Sequence, residues 1–470
     1  MFGAVADGTA RRMENRGKVT GMAYAAALVV VVVAVATAPG HAFYFDITPK
    51  AVGLLAGTAV MAILAARRRE SPGASRLLTA LLVLNGVSLA LSTALSTNRP
   101  LSAYGGSWRC LGMLVECTAM LFAWLAARYG GARAGVARAA AVLALGATVA
   151  QLARQPPSPG AYRRLWRDTL SMAAKRPLAG YGPEVFLGEF PLFQSQALAQ
   201  VSPGTIYESP RNAFLDVLIA QGSIGLLAFG GLCAAGFAAA WKRRDAWLGG
   251  ALAANVVGLQ FTVFYLPTAV LFLTAIALAV NLAAKPRAPK PTPVLAAIAP
   301  FLVVALLYPA LRLTMADREL LLTRRLLDSR DLSAATAEYE QYGFWRLPGA
   351  SADIWYSRSW MEVARGTGDT NVRSEALAIA DEAAGRALVS AEEPFLAWFN
   401  LAQAAILEGN SAAAEQDLRA AIAADPNWYL PHRVLAQELL RQSRITEAQQ
   451  ETSLALELEG KAREAPRAPH

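Results

Sequence analysis

Arginines that precede apolar segments are the residues of this sequence best suited to chemistry. Arg109 and Arg211 each stand just before an apolar run. Planar guanidinium groups bind phosphate oxygens bidentately and stay charged. If these apolar runs cross a membrane, the two arginines lie at the membrane surface, where a lipid-linked diphosphate presents its head. We therefore predict that Arg109, Arg211 and some arginines of the stretch 153–211 converge on such an anion. The candidates in that stretch are Arg163, Arg164, Arg167 and Arg176.

Three other polar residues accompany these arginines. Glu116 lies seven residues after Arg109, on the same helical face and about two turns inward. Ionisable groups inside a membrane are costly and usually functional, although a neighbouring polar group would also satisfy Glu116. Asn212 and Asp216 are one turn apart at the start of a later run. They either join a site with Arg211 or only cap that helix.

No cofactor or metal is expected from the remaining residues. The three cysteines all lie in apolar stretches, so they form neither a disulfide framework nor a metal set. The three histidines are far apart in the sequence, which argues against a histidine-based metal centre. A phosphate-binding Walker loop, a GxSxG elbow and a zinc-binding helix motif are also missing from the sequence. Nucleotide hydrolysis and a serine mechanism therefore have no support.

Composition divides the chain into two bodies. Of 470 residues 55% are apolar and 17% charged, and the mean hydropathy is +0.33. Residues 1–314 carry 28 Lys/Arg and 11 Asp/Glu, a net charge of +17, whereas residues 315–470 carry 16 and 24, a net charge of −8. A basic, very apolar body is thus followed by an acidic one. This composition excludes a disordered or collagenous chain.

The basic body contains nine apolar runs long enough to cross the hydrocarbon core as helices. They cover about 22–39, 50–66, 77–96, 110–127, 136–152, 212–240, 246–265, 267–284 and 293–312. Successive ends of these runs would lie on alternate sides of the membrane. The ends on one side carry 17 Lys and Arg residues, and the short connections on the other side carry three (Lys50, Arg99 and Arg109). Lys and Arg concentrate in cytoplasmic loops. We therefore predict a cytoplasmic N-terminus and an external C-terminal body.

Two segments of this body have alternative interpretations. The first run has the basic flank of a signal peptide, but its long core and the eight runs that follow favour an uncleaved helix. The external loop 153–211 is too long for a plain connector. It is either an amphipathic segment on the lipid headgroups or a pocket for an anionic ligand.

The acidic body contains an internal repeat. Its apolar and small residues fit the spacing W-x2-L-G-x2-Y…A-x3-F…P of a 34-residue tetratricopeptide unit. These residues are Trp398, Leu401, Ala402, Ala405, Ala414, Leu418, Ala421 and Pro426. A second copy follows 34 residues later, and Ala380 and Ala387 indicate a degenerate earlier one. Such stacks bury a continuous core behind a concave face, so this part either braces the external loop or docks a partner or polymer.

The predicted fold class is all-α: a polytopic membrane helix bundle followed by a soluble tetratricopeptide-type α-solenoid. The predicted divisions are a cytoplasmic tail at 1–20 and a membrane domain at 21–314 that includes the external loop 153–211. A leading helix pair and linker follow at 315–350, then the repeat domain at 351–460 and a disordered tail at 461–470.

Three segments together resemble the O-antigen ligase and polymerase superfamily. The stretch S-T-N-R-P-L-S-A-Y-G-G-S-W-R-C-L-G at 96–112 is similar to an outer-loop segment of that family. Trp166, R-P-L-A-G-Y-G at 176–182 and Phe186 resemble its W…P-L-x-G-x-G…F stretch. Residues 211–225 resemble its H-N-x9-G-x-x-G segment. Some members of the family also end in tetratricopeptide repeats.

The resemblance implies transfer of a glycan from a polyprenyl diphosphate to an acceptor hydroxyl on the outer leaflet of a bacterial inner membrane, without a cofactor. The acceptor would be a lipid, a growing polymer or a protein. Arg109 and Arg163 or Arg164 would hold the diphosphate. Arg211 stands where the family has a histidine, and arginine is no general base near neutral pH. Glu208 or Asp216 would then take the proton, or the site has lost activity.

Two other functions compete with glycan transfer. The first is a non-catalytic membrane-anchored scaffold whose repeat domain recruits envelope proteins. The second is a transporter for a lipid-linked substrate, which would more often show broken helices in two related halves. Pro267 is the one candidate break, and a tight turn also explains it.

Overall fold

The computed structural model describes residues 21–68, 70–71, 75–130, 134–154, 159–285, 290–291, 293–349, 351–390 and 392–460. The predicted tails at 1–20 and 461–470 lie outside these residues. The described chain is all-α, as predicted, apart from a two-residue antiparallel pair formed by β1 (Glu70–Ser71) and β2 (Lys290–Pro291).

Within the described residues, twelve helices precede residue 290. They are α1 (Gly21–Val35), α2 (Thr48–Ala66), α3 (Arg76–Ala94), α4 (Arg99–Tyr104), α5 (Met113–Tyr129), α6 (Ala134–Arg154), α7 (Pro159–Ala173), α8 (Phe186–Glu189), α9 (Gln196–Val201), α10 (Ala213–Lys242), α11 (Ala246–Gly258) and α12 (Leu266–Ala283). A short 3₁₀ turn, Phe190–Leu192, continues α8. Eight helices follow: α13 (Pro293–Asp328), α14 (Leu332–Trp345), α15 (Asp353–Gly366), α16 (Thr370–Ser390), α17 (Pro394–Glu408), α18 (Ser411–Ala424), α19 (Tyr429–Arg441) and α20 (Ile445–Leu458).

The described chain has the character of a multi-pass membrane protein. Six helices, α2, α3, α6, α10, α12 and α13, are long and apolar enough to cross a membrane. Two further apolar helices, α1 and α11, are shorter. Each of the nine predicted runs coincides with a helix, but only these six reach the length and composition of a span.

The centre of the apolar body is α12. It packs against α5, α6 and α10, and 14 of its 18 residues are buried. In the most apolar 18-residue stretch of α6 only 28% is buried inside the protein, so this helix turns most of its apolar surface outward. A helix that is apolar all round belongs in a core or a bilayer. The apolar helices thus divide into a protein-facing and an outward-facing group.

Helix α10 is interrupted at Gly222, where φ is +65° and ψ is −164°. The segment 177–182 of the external loop fills the break with backbone hydrogen bonds. The amides of Tyr181 and Gly182 donate to the carbonyls of Ile219 and Ala220 at 2.8 and 2.9 Å. The amide of Ser223 donates to the carbonyl of Pro177 at 2.8 Å. The loop therefore satisfies the polar groups that the broken helix exposes, as an apolar environment requires.

Glycines make this interlock possible. A Cβ on Gly180 would lie 2.4 Å from the carbonyl oxygen of Ile219, and one on Gly222 would lie 2.2 Å from that of Leu178. Both residues have positive φ, which favours glycine. The two glycine-containing motifs of the sequence are thus the two sides of one backbone contact.

The predicted boundary at 314/315 does not interrupt the backbone. Helix α13 has 36 residues, about 54 Å at 1.5 Å per residue, which exceeds the hydrocarbon thickness of about 30 Å. No glycine occurs between Pro293 and Asp328 to end it earlier. Asp317 accepts hydrogen bonds from the amides of Phe43 and Tyr44 at 2.7 and 2.9 Å. The predicted leading helix pair therefore consists of the second half of α13 and α14, and it is tied to the loop after α1.

The helices after α14 pack in sequential pairs, α15 with α16, α17 with α18 and α19 with α20. The small residues predicted at helix crossings are buried: Ala380, Ala387, Ala414, Ala421, Ala448 and Ala455 are each at most 4% exposed. This part, residues 353–458, is called the helical tail below. It contacts the external loop, since the Asn427 side-chain amide donates to the Gln194 carbonyl at 2.6 Å.

Replacing Gly222 by alanine tests the interlock. We expect Gly222→Ala to lower the free energy of unfolding by about 1–3 kcal/mol, because only glycine adopts this backbone conformation without strain. The thermal unfolding midpoint in detergent measures the effect. The matched control is Gly230→Ala in the same helix, where an added Cβ meets nothing within 4 Å. Equal midpoints for the two variants would contradict the interpretation.

Candidate functional site

A short loop between α4 and α5, residues 105–112, presents Arg109. The loop closes where the backbones of Gly105 and Gly112 meet. A Cβ on Gly112 would lie 2.2 Å from the Gly105 nitrogen, and one on Gly105 would lie 2.7 Å from the Gly112 nitrogen. Only glycines permit this approach. The residues between them, including Trp108 and Arg109, are consequently held as a compact turn, called the arginine loop below.

Arg109 is buried between two carboxylates. Its Nε donates to Glu184 Oε1 at 2.5 Å, and its two terminal nitrogens donate to both oxygens of Asp216, one of them at 3.2 Å. Glu184 also accepts from the Gly106 amide at 3.3 Å. The Arg109 guanidinium carbon lies 4.6 Å from the centre of the Trp108 ring. The arginine loop, the external loop and α10 are thereby fastened at one side chain.

The electrostatics of this cluster keep Arg109 charged. Burial by itself would lower the pKa of Arg109, but the charges and hydrogen bonds of Asp216 and Glu184 outweigh it and raise the pKa. Burial raises the pKa of Glu184, and the neighbouring Arg109 counteracts part of that rise. With two carboxylates against one guanidinium, the cluster carries no net positive charge when all three groups are ionised. Arg109 is therefore already neutralised by the protein itself.

A cavity of about 560 Å³ opens beside Arg109 and is called the basic cavity below. Four cationic side chains line it: Lys50, Arg109, Arg154 and Arg211. Aromatic residues complete its wall: Trp108, Tyr162, Phe261 and Tyr265. Its cationic residues come from the start of α2, the arginine loop, the end of α6 and the residue before the N-cap of α10. The size and the aromatic wall with a few polar groups are typical of ligand sites.

The four cations differ in how their charges are compensated. Arg109 is paired as described, and Lys50 is 2.5 Å from Asp46, which also lines the cavity. Arg154 and Arg211 have no carboxylate within ion-pair distance among the described residues. Arg211 is held in a left-handed backbone conformation with φ of +51°. Two guanidinium groups without an ion pair thus border one cavity, although the nearby Glu208 carboxylate interacts electrostatically with Arg211. This arrangement suits an anion with two charges.

The predicted loop arginines do not line the basic cavity. Arg163 is exposed on α7, and Arg164 donates to the Gly160 carbonyl at 3.2 Å. Arg167 binds Asp168 and Ser195. Arg176 donates to the Leu95 carbonyl and stacks on Tyr181. The structure therefore places Arg109 and Arg211 on the wall of one cavity, whereas these four residues make other contacts.

The polar residues beside the arginines occupy different positions. Asn212 caps α10, accepting from the amides of Phe214 and Leu215 at 3.0 and 3.2 Å. Asp216 is engaged by Arg109. Glu208 is exposed and does not line the basic cavity. Glu116 instead lines a separate small cavity of about 40 Å³, which it shares with Arg109 and Asp216.

Sequence reasoning did not select Lys50, Arg154, Asp46 or Glu184 as site residues. A signal existed for Lys50, because it is one of only three cations at the short external ends of the predicted spans. Arg154 ends α6 at the same side of the bundle. Glu184 gave no local signal, since it lies 75 residues from Arg109 in sequence.

No protein-family model, curated protein or solved structure matches this chain. The geometry of the site therefore carries the functional argument.

The structural role of Arg109 can be separated from any role in binding. We expect Arg109→Ala to lower the free energy of unfolding by about 3–5 kcal/mol, because it leaves Glu184 and Asp216 without their partner. Arg211→Ala, whose side chain has no ion pair, should change it by less than about 0.5 kcal/mol. Thermal unfolding in detergent measures both. A midpoint for Arg109→Ala that matches the wild type would refute the structural role.

Proposed function

We propose that the basic cavity binds the diphosphate head of a lipid-linked glycan, and that the protein transfers this glycan to an acceptor hydroxyl. The observation that carries the proposal is the pair of guanidinium groups without an ion pair, Arg154 and Arg211, on the wall of one cavity. A diphosphate diester carries two negative charges, and guanidinium groups bind phosphate oxygens in bidentate geometry. The similarity of three sequence segments to O-antigen ligases and polymerases supports the same substrate class.

The surroundings of the cavity fit such a donor. The apolar helices indicate a bilayer environment, and a polyprenyl chain dissolves in a bilayer. The aromatic side chains of Trp108, Tyr162 and Tyr265 offer apolar faces to a sugar ring beside the diphosphate. Lys50 adds positive potential, although Asp46 partly compensates its charge. The cavity thus combines an anion site with a surface for the glycan.

The proposed reaction needs no cofactor. The acceptor hydroxyl attacks the anomeric carbon, the new glycosidic bond forms, and the bond from that carbon to the diphosphate oxygen breaks with inversion. Arg154 and Arg211 stabilise the charge that develops on the leaving diphosphate. The hydroxyl proton passes to a carboxylate. Asp46 is paired with Lys50 but lines the cavity, whereas Asp216 and Glu208 do not, so Asp46 is the better placed acceptor.

The finer organisation belongs to the same proposal. If all nine predicted runs cross the membrane, the N-terminus lies in the cytoplasm of a bacterium and the basic cavity at the external side of its inner membrane. The helical tail is then an external tetratricopeptide-type solenoid. The buried alanines at its helix contacts support this identification. Its concave face would receive the acceptor or a protein partner.

Variants of Arg154 and Arg211 test the proposal. We expect Arg154→Ala and Arg211→Ala each to weaken the binding of inorganic diphosphate to the purified protein about tenfold or more, because each removes a charge-assisted hydrogen bond. Binding is measured by titration calorimetry at low ionic strength and should weaken as salt is added. The matched control is Arg163→Ala, an exposed arginine on α7 that does not line the cavity.

A cellular assay with the same variants tests transfer. In a deletion strain we expect carrier-linked glycan to accumulate, and the wild type and Arg163→Ala, but not Arg211→Ala, to clear it. Accumulated long polymers would indicate a ligase and accumulated single units a polymerase. Full complementation by Arg211→Ala and Arg154→Ala together would overturn the enzyme proposal. Loss of function on deleting the helical tail alone would then favour the scaffold.

A further inference from the structure

Glu392, in the connection between α16 and α17 of the helical tail, reaches into the arginine loop. Its Oε1 accepts from the Ser107 amide at 2.7 Å, and its Oε2 accepts from the Ser107 hydroxyl at 3.3 Å. Ser107 is two residues before Arg109. This is a direct contact, 285 residues apart in sequence, between the tail and the loop that borders the basic cavity.

The contact is buried and close to another carboxylate. Glu392 is 9% exposed. A Cβ on Gly106 would lie 2.9 Å from Glu392 Oε2 and 3.1 Å from Glu184 Oε2. The two carboxylates, one from the helical tail and one from the external loop, therefore both lie next to Gly106. Bulkier residues than glycine would not fit between them. The arginine loop is thus clamped between Glu184 of the external loop and Glu392 of the tail.

We propose that Glu392 is a positioning residue, a latch through which the helical tail holds the arginine loop at the basic cavity. No described residue of the tail lines the basic cavity, and the hydrogen bonds between the tail and the arginine loop run to Ser107. A partner or polymer that moves the tail would then loosen Trp108 and Arg109. The consequence for ligand binding rests on the proposed function, whereas the latch itself does not.

The latch responds to pH. Burial, together with the charges of Glu184 and Glu393 and against the lowering effect of the Ser107 hydrogen bonds, raises the pKa of Glu392 to about 8. Tyr44, Cys110 and Tyr342 are the other titratable groups that interact with it. A released Glu392 would titrate near 4.5. The latched form therefore binds one proton more between about pH 4.5 and 8, and it loses stability as pH rises through that range.

Hydrogen exchange of the peptide that contains residues 105–112, measured by mass spectrometry on the full-length protein in detergent, tests the latch. We expect slow exchange in the wild type and at least tenfold faster exchange in Glu392→Ala, which removes the acceptor of the Ser107 amide. Glu392→Gln keeps an acceptor and removes the titration. Its protection should survive and become independent of pH between 6 and 9, after correction for the intrinsic exchange rate.

Glu393→Gln is the matched control, because Glu393 is the neighbouring carboxylate and makes no hydrogen bond to the arginine loop. At pH 6, well below the pKa of Glu392, it should exchange like the wild type. Unchanged protection in Glu392→Ala, with the tail still folded by circular dichroism, would overturn the latch. Diphosphate titration of the same variants separates the two proposals. Absence of binding in the wild type refutes the proposed function alone, whereas equal affinity in wild type and Glu392→Ala refutes the positioning role.

Discussion

The structure depends on the need to neutralise one buried guanidinium. Arg109 is 5% exposed, and an unpaired charge at such a position would cost several kcal/mol. Its partners come from two distant elements, Glu184 from the external loop and Asp216 from the first turn of α10. The loop must therefore dock on the bundle before Arg109 can be buried. The arginine loop, the external loop and α10 are in this sense one folding unit, although they are far apart in sequence.

The break in α10 provides hydrogen-bond partners for the backbone of the docked loop. A loop that docks on an apolar bundle brings unpaired amides and carbonyls with it, and these require partners. The interruption at Gly222 supplies them, since the carbonyls of Ile219 and Ala220 accept from the loop and the amide of Ser223 donates to it. The exchange places Glu184 two residues beyond Gly182, next to Arg109. The glycine motifs that resemble a glycan-transferase family are thus needed here for backbone satisfaction, whatever reaction the site performs.

Sequence patterns predicted the elements better than their contacts. Hydropathy located the apolar helices and the 34-residue spacing located the buried alanines, because both signals repeat along a single element. The convergence of Arg109 and Arg211 followed from topology, since both lie at external ends of predicted spans. Glu184 and Glu392 were missed because nothing local distinguishes a carboxylate that meets a partner 75 or 285 residues away. The continuous α13 was missed because composition changes near residue 314 while helix propensity does not.

The distribution of charge separates two tasks that the sequence alone merged into one arginine cluster. Arg109 donates hydrogen bonds from Nε and both terminal nitrogens to Glu184 and Asp216, so few of its donors remain for a ligand. It instead fixes the geometry of the wall of the basic cavity. Arg154 and Arg211 make no ion pair within the described residues and border the cavity, so an incoming anion can bind them without breaking an internal ion pair. In the proposed transferase, an arginine at position 211 adds to anion binding but cannot act as a base near neutral pH. The proton of an acceptor must then go to a carboxylate on the cavity wall, which makes Asp46 the residue on which the difference between a binding site and a transferase site depends.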